Sequence, residues 1–210
     1  MKNLSLSLLS LIFIVSCSKN DSYSARVLNA DTENESWLLH GRTYDESRFS
    51  PLNDINDSNV QDLGLAWSFE TGTNRGHETT PIVVDGMMFI TAPWSVVFAL
   101  DAKTGKEIWS FDPEADKDWA RNACCDVVNR GTAVWGDQVV FATIDGRLIS
   151  LDKASGAVNW DVLTIDKSKP YTITGAPRII DGKIIIGNGG GEFGVRGYIS
   201  AYDVQDGSML

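Results

Sequence analysis

The chain of 210 residues is long enough for one domain with a sizeable core, or for part of a larger protein. Hydrophobic residues make up 43% of the sequence and charged residues 22%, a balance that excludes an intrinsically disordered chain. The formal net charge of −10 argues against nucleic acid as a partner, because binding phosphate requires a basic surface. No uninterrupted apolar run reaches the roughly 18 residues that a membrane-spanning helix needs.

The first residues have the form of an export signal. Lys2 precedes a mostly apolar run over residues 4–15, which is too short to span a bilayer. The run ends at Ser16 and Cys17, which resemble the cleavage box of bacterial lipoproteins, where the cysteine becomes the first mature residue and carries lipid. We therefore predict a signal peptide over 1–16, a lipid anchor at Cys17, a polar tether over 17–35, and a periplasmic location on a membrane of a Gram-negative bacterium. An ordinary signal peptide that happens to contain a cysteine is the alternative.

Three similar segments follow one another at a spacing of 51 residues. Residues 100–109 (LDAKTGKEIW) match residues 151–160 (LDKASGAVNW), and a third copy begins at Tyr202. Earlier in each unit, two apolar runs are joined by a tight turn such as the Asp-Gly pair at 85–86, which is a strong hairpin signal. Each unit therefore predicts four antiparallel strands in about 50 residues, the size of one β-propeller blade.

The predicted fold is all-β, with residues 36–210 forming propeller blades. These residues hold at most three and a half units, whereas closed propellers usually have four to eight blades. We therefore interpret the chain as the N-terminal portion of a larger propeller. Trp67, in the run 65–69, is predicted to lie on the outer strand of a preceding blade. A β-sandwich with coincidental repeats is the alternative.

A signature lies between Trp37 and Leu63. Residues 37–42 (WLLHGR), 49–56 (FSPLNDIN) and 59–60, followed by Leu63, resemble the N-terminal signature of alcohol dehydrogenases that depend on pyrroloquinoline quinone (PQQ). Only the flanks at 36 and 64 depart from the family's pattern. The resemblance extends to the end of the chain through three further motifs, and it implies the first part of an eight-bladed propeller.

The first of these motifs is Cys124-Cys125, followed by residues 126–131 (DVVNRG). Two bonded neighbouring cysteines would close a strained ring, and strain tends to lie at functional sites. The resemblance implies a vicinal disulfide that lies flat against one face of the quinone, with Arg130 hydrogen-bonded to quinone oxygens. A cation there stabilises the negative charge that develops as the quinone is reduced. Two unlinked core thiols and a surface arginine are the alternatives.

The second motif is residues 76–81 (GHETTP), and the third joins Thr174 to the glycine-rich loop 187–197. The resemblance implies that Glu78 bonds the cofactor near a carboxylate, unless it is merely a solvated acid. It implies that Glu192 binds calcium, for which a carboxylate is a suitable hard ligand. Relatives often carry Ser or Ala within the glycine run, so any side-chain hydroxyl contact at position 189 is lost in this chain. The residues implied to hold the cofactor carboxylates are Thr174 and the backbone of Gly189, Gly190 and Gly191.

The resemblance implies an enzyme that oxidises an alcohol to an aldehyde or ketone with PQQ and Ca²⁺ and passes electrons to a cytochrome c-type acceptor. The family's base Asp, its Asn calcium ligand and its stacking Trp come from later blades, so no catalytic base is assigned here. No Cys-x-x-Cys-His motif occurs, and haem c would belong to a further C-terminal part.

Three alternatives stay open at this point. A non-enzymatic propeller lipoprotein scaffold of the outer-membrane assembly type shares the anchor and the blades, but it has no reason to carry the cysteine pair or the glycine-rich loop. A sugar-oxidising relative with the same cofactor and a binding module with a decayed site are the others.

Overall fold

The protein is built almost wholly from antiparallel sheets, as the repeats predict. The computed structural model describes the backbone of residues 19–210 and the side chains from residue 23 on. Two four-stranded sheets and one three-stranded sheet follow one another along the chain. The first blade comprises β1 (Ile82–Val84), β2 (Met87–Thr91), β3 (Val97–Asp101) and β4 (Glu107–Phe111). The second comprises β5 (Ala133–Trp135), β6 (Gln138–Ala142), β7 (Arg147–Asp152) and β8 (Val158–Leu163). The third comprises β9 (Arg178–Ile180), β10 (Lys183–Gly187) and β11 (Ile199–Asp203).

Local turn chemistry fixes the register of each blade. Asp85 and Gly86 both have positive φ, 54° and 76°, so they form the mirror-image turn that matches the twist of a two-strand hairpin. Asp181 and Gly182 repeat this geometry in the third blade, with φ of 50° and 71°. The pairings β3–β4 and β7–β8 also share a register shift, which falls at the same place in each repeat. The predicted strand order within the blades is thus confirmed.

Tryptophans on the outer strands join each blade to the next. Trp109 on β4 donates its indole N–H to the carbonyl of Lys153 in the following blade, at 3.0 Å. Its ring lies against Gly156, where an added Cβ would be 2.8 Å from ring carbon atoms and where φ is +73°. Trp160 and Gly207 repeat the arrangement. The recurring glycine is therefore required both for its backbone conformation and for the space that the indole occupies.

Trp67 makes the same contact without a strand around it. A Cβ on Gly105 would lie 2.4 Å from the Trp67 ring. Residues 65–69 carry no strand assignment within the described part of the chain. The ring therefore occupies the outer-strand position that the repeat predicts, while the strand itself has no pairing among residues 19–210.

Tight turns lie at one end of each sheet, and the longer connections lie at the other end. Antiparallel order places the β1–β2 and β3–β4 turns at one end of the blade, which we call the turn face. The β2–β3 connection and the segments between blades lie at the opposite end, the loop face. There, Thr80 donates its backbone N–H to the carbonyl of Arg130 at 3.1 Å, and Arg130 donates its own to the carbonyl of Thr174 at 3.0 Å. These bonds link the beginnings of the first strands of three successive blades.

The segment predicted as a tether is instead structured from residue 19 onward. Residues Lys19–Leu28 form helix α1, and Tyr23 and Val27 are each only 2% exposed in the main hydrophobic core. Arg26 pairs with Asp85 at 2.9 Å in the first β-hairpin. The tether prediction is wrong here because two apolar side chains, four residues apart, dock the helix on the sheets. The predicted signal peptide and Cys17 lie outside the described residues.

Short 3₁₀ helices complete the secondary structure, at Ala30–Thr32, Val60–Asp62, Pro93–Ser95, Lys117–Asn122 and Gly191–Phe193. Within residues 19–210, no helix is both long and apolar enough to cross a membrane.

Candidate cofactor site

All of the predicted site residues belong to the loop face. Glu78 precedes β1, the cysteine motif precedes β5, Thr174 precedes β9, and the glycine run follows β10. Because the first strands begin side by side, these segments converge although they come from three different blades.

Arg130 lies at the centre of this group. Its Nη2 pairs with Oε2 of Glu78 at 2.6 Å, and its Nη1 donates to the Thr174 hydroxyl, also at 2.6 Å. The side chains of Arg130 and Glu78 are 42% and 41% exposed, so both are within reach of a ligand. Since the guanidinium neutralises the nearby carboxylate, an acid at position 78 is compatible with a negatively charged ligand.

A buried asparagine fixes the backbone that presents Arg130. Asn129 is 2% exposed, donates its side-chain N–H to the carbonyl of Ala142 at 2.8 Å, and accepts the N–H of Gly131 at 3.0 Å. Gly131 has φ of +125°, and a Cβ there would lie 3.0 Å from the carbonyl oxygen of Thr80. The sequence motif contains both residues, but their supporting role depends on contacts that only the fold supplies.

The cysteine pair follows the 3₁₀ helix Lys117–Asn122 and is exposed. In this structure Cys124 and Cys125 are free thiols whose Sγ atoms are 2.7 Å apart. The interaction with Cys125, and next that with the Glu192 carboxylate, raises the pKa of the Cys124 thiol to about 12. The vicinal disulfide therefore stays a prediction, while the proximity of the two sulfurs is observed.

Glu192 lies in the exposed 3₁₀ helix Gly191–Phe193, next to the cysteines. A hydrogen bond from its own backbone N–H and the Cys124 thiol together lower the pKa of its carboxyl. The sulfurs and the acid therefore share one surface. Within the described part of the chain, no group of three or more His, Cys, Asp or Glu residues could hold a metal ion. Glu192 would be one ligand of a set completed by other residues.

The glycine run is tied to the segment that carries Thr174. Gly189 donates its N–H to the carbonyl of Thr172 at 2.7 Å, so this N–H is not free for a cofactor carboxylate, which corrects part of the prediction. Gly190 has φ of +113°, and a Cβ there would lie 2.5 Å from the carbonyl oxygen of Pro170. The close approach of these two backbones explains why glycine is needed in the loop.

An open cavity of about 590 Å³ adjoins this group. Arg130 and Thr174 line it together with two residues that the sequence analysis assigned no role, His40 and Arg178. Two arginines and a hydroxyl favour an anionic ligand. The Thr174 oxygen accepts a bond from Arg130, which leaves its own hydrogen free to donate. This donor set fits the carboxylates of PQQ, and the Glu192 carboxylate fits a hard cation.

The fold and the site together define a β-propeller that presents ligand-binding groups on one face. The sequence profile of the PQQ family, described as "glucose/ethanol/alcohol dehydrogenase, beta-propeller domain", matches residues 37–210. The chain therefore belongs to this family of oxidoreductases. Membership implies a PQQ cofactor and a metal ion.

The relatives are alcohol dehydrogenases. Quinohemoprotein alcohol dehydrogenase ADH-IIG of Pseudomonas putida is 55% identical over 184 residues, which are 87% of this chain and 26% of the relative. The 1-butanol dehydrogenase (cytochrome c) of Thauera butanivorans is 55% identical over 168 residues, 80% of this chain and 24% of the relative. The chain thus spans about a quarter of the length of these curated relatives.

Solved structures have the same fold. The structure of ADHIIG from Pseudomonas putida HK5 superimposes with a TM-score of 0.86 at 54% identity, covering 88% of this chain and 27% of that one. A europium-containing methanol dehydrogenase gives a TM-score of 0.84 at 39% identity, covering 89% of this chain and 33% of that one.

Proposed function

We propose that these residues form the first blades of a longer quinoprotein alcohol dehydrogenase, and that they supply one side of its cofactor site. The observation that carries this proposal is Arg130, which joins Glu78 and Thr174 on the same face as the cysteine pair and Glu192. The lengths and names of the relatives support the assignment.

Each residue has a role in holding the cofactor. The Arg130 guanidinium would hold quinone oxygens and favour negative charge on them, while Thr174 would donate its hydroxyl hydrogen to a carboxylate. Glu78 keeps the guanidinium in place through its ion pair. Cys124 and Cys125, once joined as a disulfide, would offer a flat surface to one face of the cofactor. When bound, PQQ supplies the two-electron oxidising chemistry, and these side chains orient it.

The metal is proposed to be Ca²⁺, with Glu192 as one of its oxygen ligands. The substrate is an alcohol and the electron acceptor a cytochrome c or a similar carrier, in keeping with the printed names of the relatives. A haem c domain would lie in the part of the protein that corresponds to the remaining length of those relatives. The general base is expected from later blades, so none of the described residues is assigned that role.

We also propose export and lipid attachment at Cys17, which rest on the sequence of the leader alone. Mass spectrometry of the mature N-terminus after expression in a Gram-negative host tests this. An acylated Cys17 is the expected result, and a mature chain with an unmodified Cys17 would contradict it.

The enzymatic proposal is tested with the complete polypeptide that contains these residues. We expect alcohol-dependent reduction of a redox dye only after PQQ and Ca²⁺ are added, and no turnover by residues 17–210 alone. Arg130→Ala should abolish PQQ binding, whereas Arg121→Ala, on the 3₁₀ helix nearby, should leave it unchanged. A complete protein that binds no PQQ would refute the proposal and favour a non-enzymatic scaffold.

A further inference from the structure

His40 belongs to the N-terminal signature, yet nothing in the proposed chemistry explains it. Its side chain is 16% exposed and lines the cavity beside Arg130. Its Nε2 lies 2.9 Å from the hydroxyl oxygen of Thr80, and its Nδ1 lies 3.1 Å from Nη2 of Arg48. Both nitrogens of the ring are thus engaged by side chains from other segments.

The partner on Nδ1 decides which nitrogen carries the proton. An arginine side chain has only N–H donors, so Nδ1 of His40 must accept. The proton therefore lies on Nε2, which donates to Thr80. Oε2 of Glu46 is 3.8 Å from Nδ1, beyond hydrogen-bond length, and does not reverse this assignment. Burial, and next the charges of Arg178 and Arg48, lower the pKa of His40, which favours the same neutral ring.

The local backbone is shaped to make this contact. Glu46 and Arg48 have left-handed φ of 55° and 52°, which turn the chain back toward His40. A Cβ on Gly41 would lie 2.2 Å from a carboxylate oxygen of Glu46 and 2.6 Å from its Cα, so only glycine fits beside this turn. Arg178 then holds Glu46 from the third blade, at 3.0 Å.

From Thr80, a row of hydrogen bonds leads to the cofactor side chains. Thr80 donates its N–H to the carbonyl of Arg130, and Arg130 donates its own to Thr174. Two residues before Thr80 lies Glu78, which pairs with the Arg130 guanidinium. His40 is therefore bonded to the first link of a row that holds three of the proposed cofactor-binding residues.

We propose that His40 is a positioning residue: as a neutral Nε2–H donor to Thr80, it holds the backbone that presents Arg130 and Glu78 to the cofactor. The inference rests on the proposed function, since it concerns the same site. It explains why the signature joins a histidine to a glycine, because Gly41 leaves room for the turn that brings Arg48 to the other nitrogen.

The experiment uses the complete polypeptide and titrates PQQ in the presence of Ca²⁺, with tryptophan fluorescence as the readout. His40→Ala and Thr80→Val should each raise the dissociation constant about fivefold, as expected for one lost hydrogen bond. The double variant should be no weaker than either single variant, because both remove the same bond. Additive effects, or an unchanged constant in both single variants, would overturn the inference. Thermal unfolding of each variant shows that it is folded.

His40→Gln separates positioning from simple packing. Glutamine can donate from its amide nitrogen and accept at its oxygen, but it does not titrate. It should keep PQQ affinity within about twofold of the wild type. A loss of affinity in His40→Gln as large as the loss in His40→Ala would contradict the positioning role.

A second readout needs no cofactor. In apo-protein, phenylglyoxal should modify Arg130 faster in His40→Ala and Thr80→Val than in the wild type, as followed by mass spectrometry of its peptide. Arg147, which pairs with Asp161 at 2.8 Å, serves as the control and should react at an unchanged rate. Absence of PQQ binding by the wild type would refute the proposed function. Equal rates of Arg130 modification by phenylglyoxal in the wild type and both variants would refute the role of His40.

Discussion

Alanine in place of Gly156 would test the contact that joins the first blade to the second. The backbone there has φ of +73°, and the new methyl group would lie 2.8 Å from the Trp109 ring. A left-handed conformation costs a residue with a Cβ about 1–2 kcal/mol. Overpacking against the indole adds about 1–3 kcal/mol. The expected loss in the free energy of unfolding is therefore about 3 kcal/mol.

Gly86→Ala is the matched control. Gly86 has φ of +76°, and nothing lies within 4 Å of an added Cβ, so only the backbone cost of about 1–2 kcal/mol applies. Urea unfolding of the purified chain, followed by far-UV circular dichroism, measures both variants. If Gly156→Ala were no more destabilising than Gly86→Ala, the indole contact would not be tight, and the reasoning about the repeated Trp–Gly pairs would be refuted.

Three further predictions concern single side chains. The Tyr23 hydroxyl is buried with no hydrogen-bond partner among the described residues. In thermal melts, Tyr23→Phe should therefore raise the free energy of unfolding by about 1 kcal/mol, and Tyr23→Ala should lower it by about 3 kcal/mol. The reverse order would contradict the packing of α1. Burial raises the pKa of Asp145, but the Thr143 hydroxyl and nearby cations outweigh it, and the net pKa is lowered. The stabilisation is present above the ordinary Asp pKa and is lost as pH falls through the lower folded-state value. Asp145→Asn should therefore flatten the decline of urea midpoints between about pH 5 and pH 2. Glu192→Gln should weaken Ca²⁺-dependent reconstitution of the complete enzyme at least about tenfold, because mutating even a residue that only contacts a metal ligand costs this much metal affinity. The control Glu107→Gln should leave reconstitution unchanged. Equal behaviour of the two variants would remove Glu192 from the metal site.

The blades could be predicted because their signals are local. The turn at Asp85 and Gly86 and the alternation in the neighbouring strands act over a few residues, and Trp109 and Trp160 repeat in register. Helix α1 was missed because its only buried apolar side chains lie in a polar segment, and its docking depends on the sheets.

The family motifs predict which residues form the candidate site, but they do not predict how those residues are bonded to one another. The family motifs name Glu78, Arg130 and Thr174, and the fold shows that one guanidinium joins the other two. His40 lies 40 residues from Thr80 in sequence, and no local pattern reports their contact. Likewise, the occupied N–H of Gly189 follows from a pairing with Thr172, which the glycine run alone does not indicate.

The placement of the Trp–Gly contacts has a consequence for how such proteins can diversify. The glycines that receive the indoles lie in the turns that follow the third strand of each unit, and the proposed ligand groups lie at the opposite end of the sheets. An insertion beside a glycine would disturb two neighbouring units at once, whereas an insertion between β2 and β3, or before a first strand, would leave the stacking intact. Natural variants with new substrate preferences should therefore differ in length at the loop face, and gain or lose material elsewhere only as whole repeats.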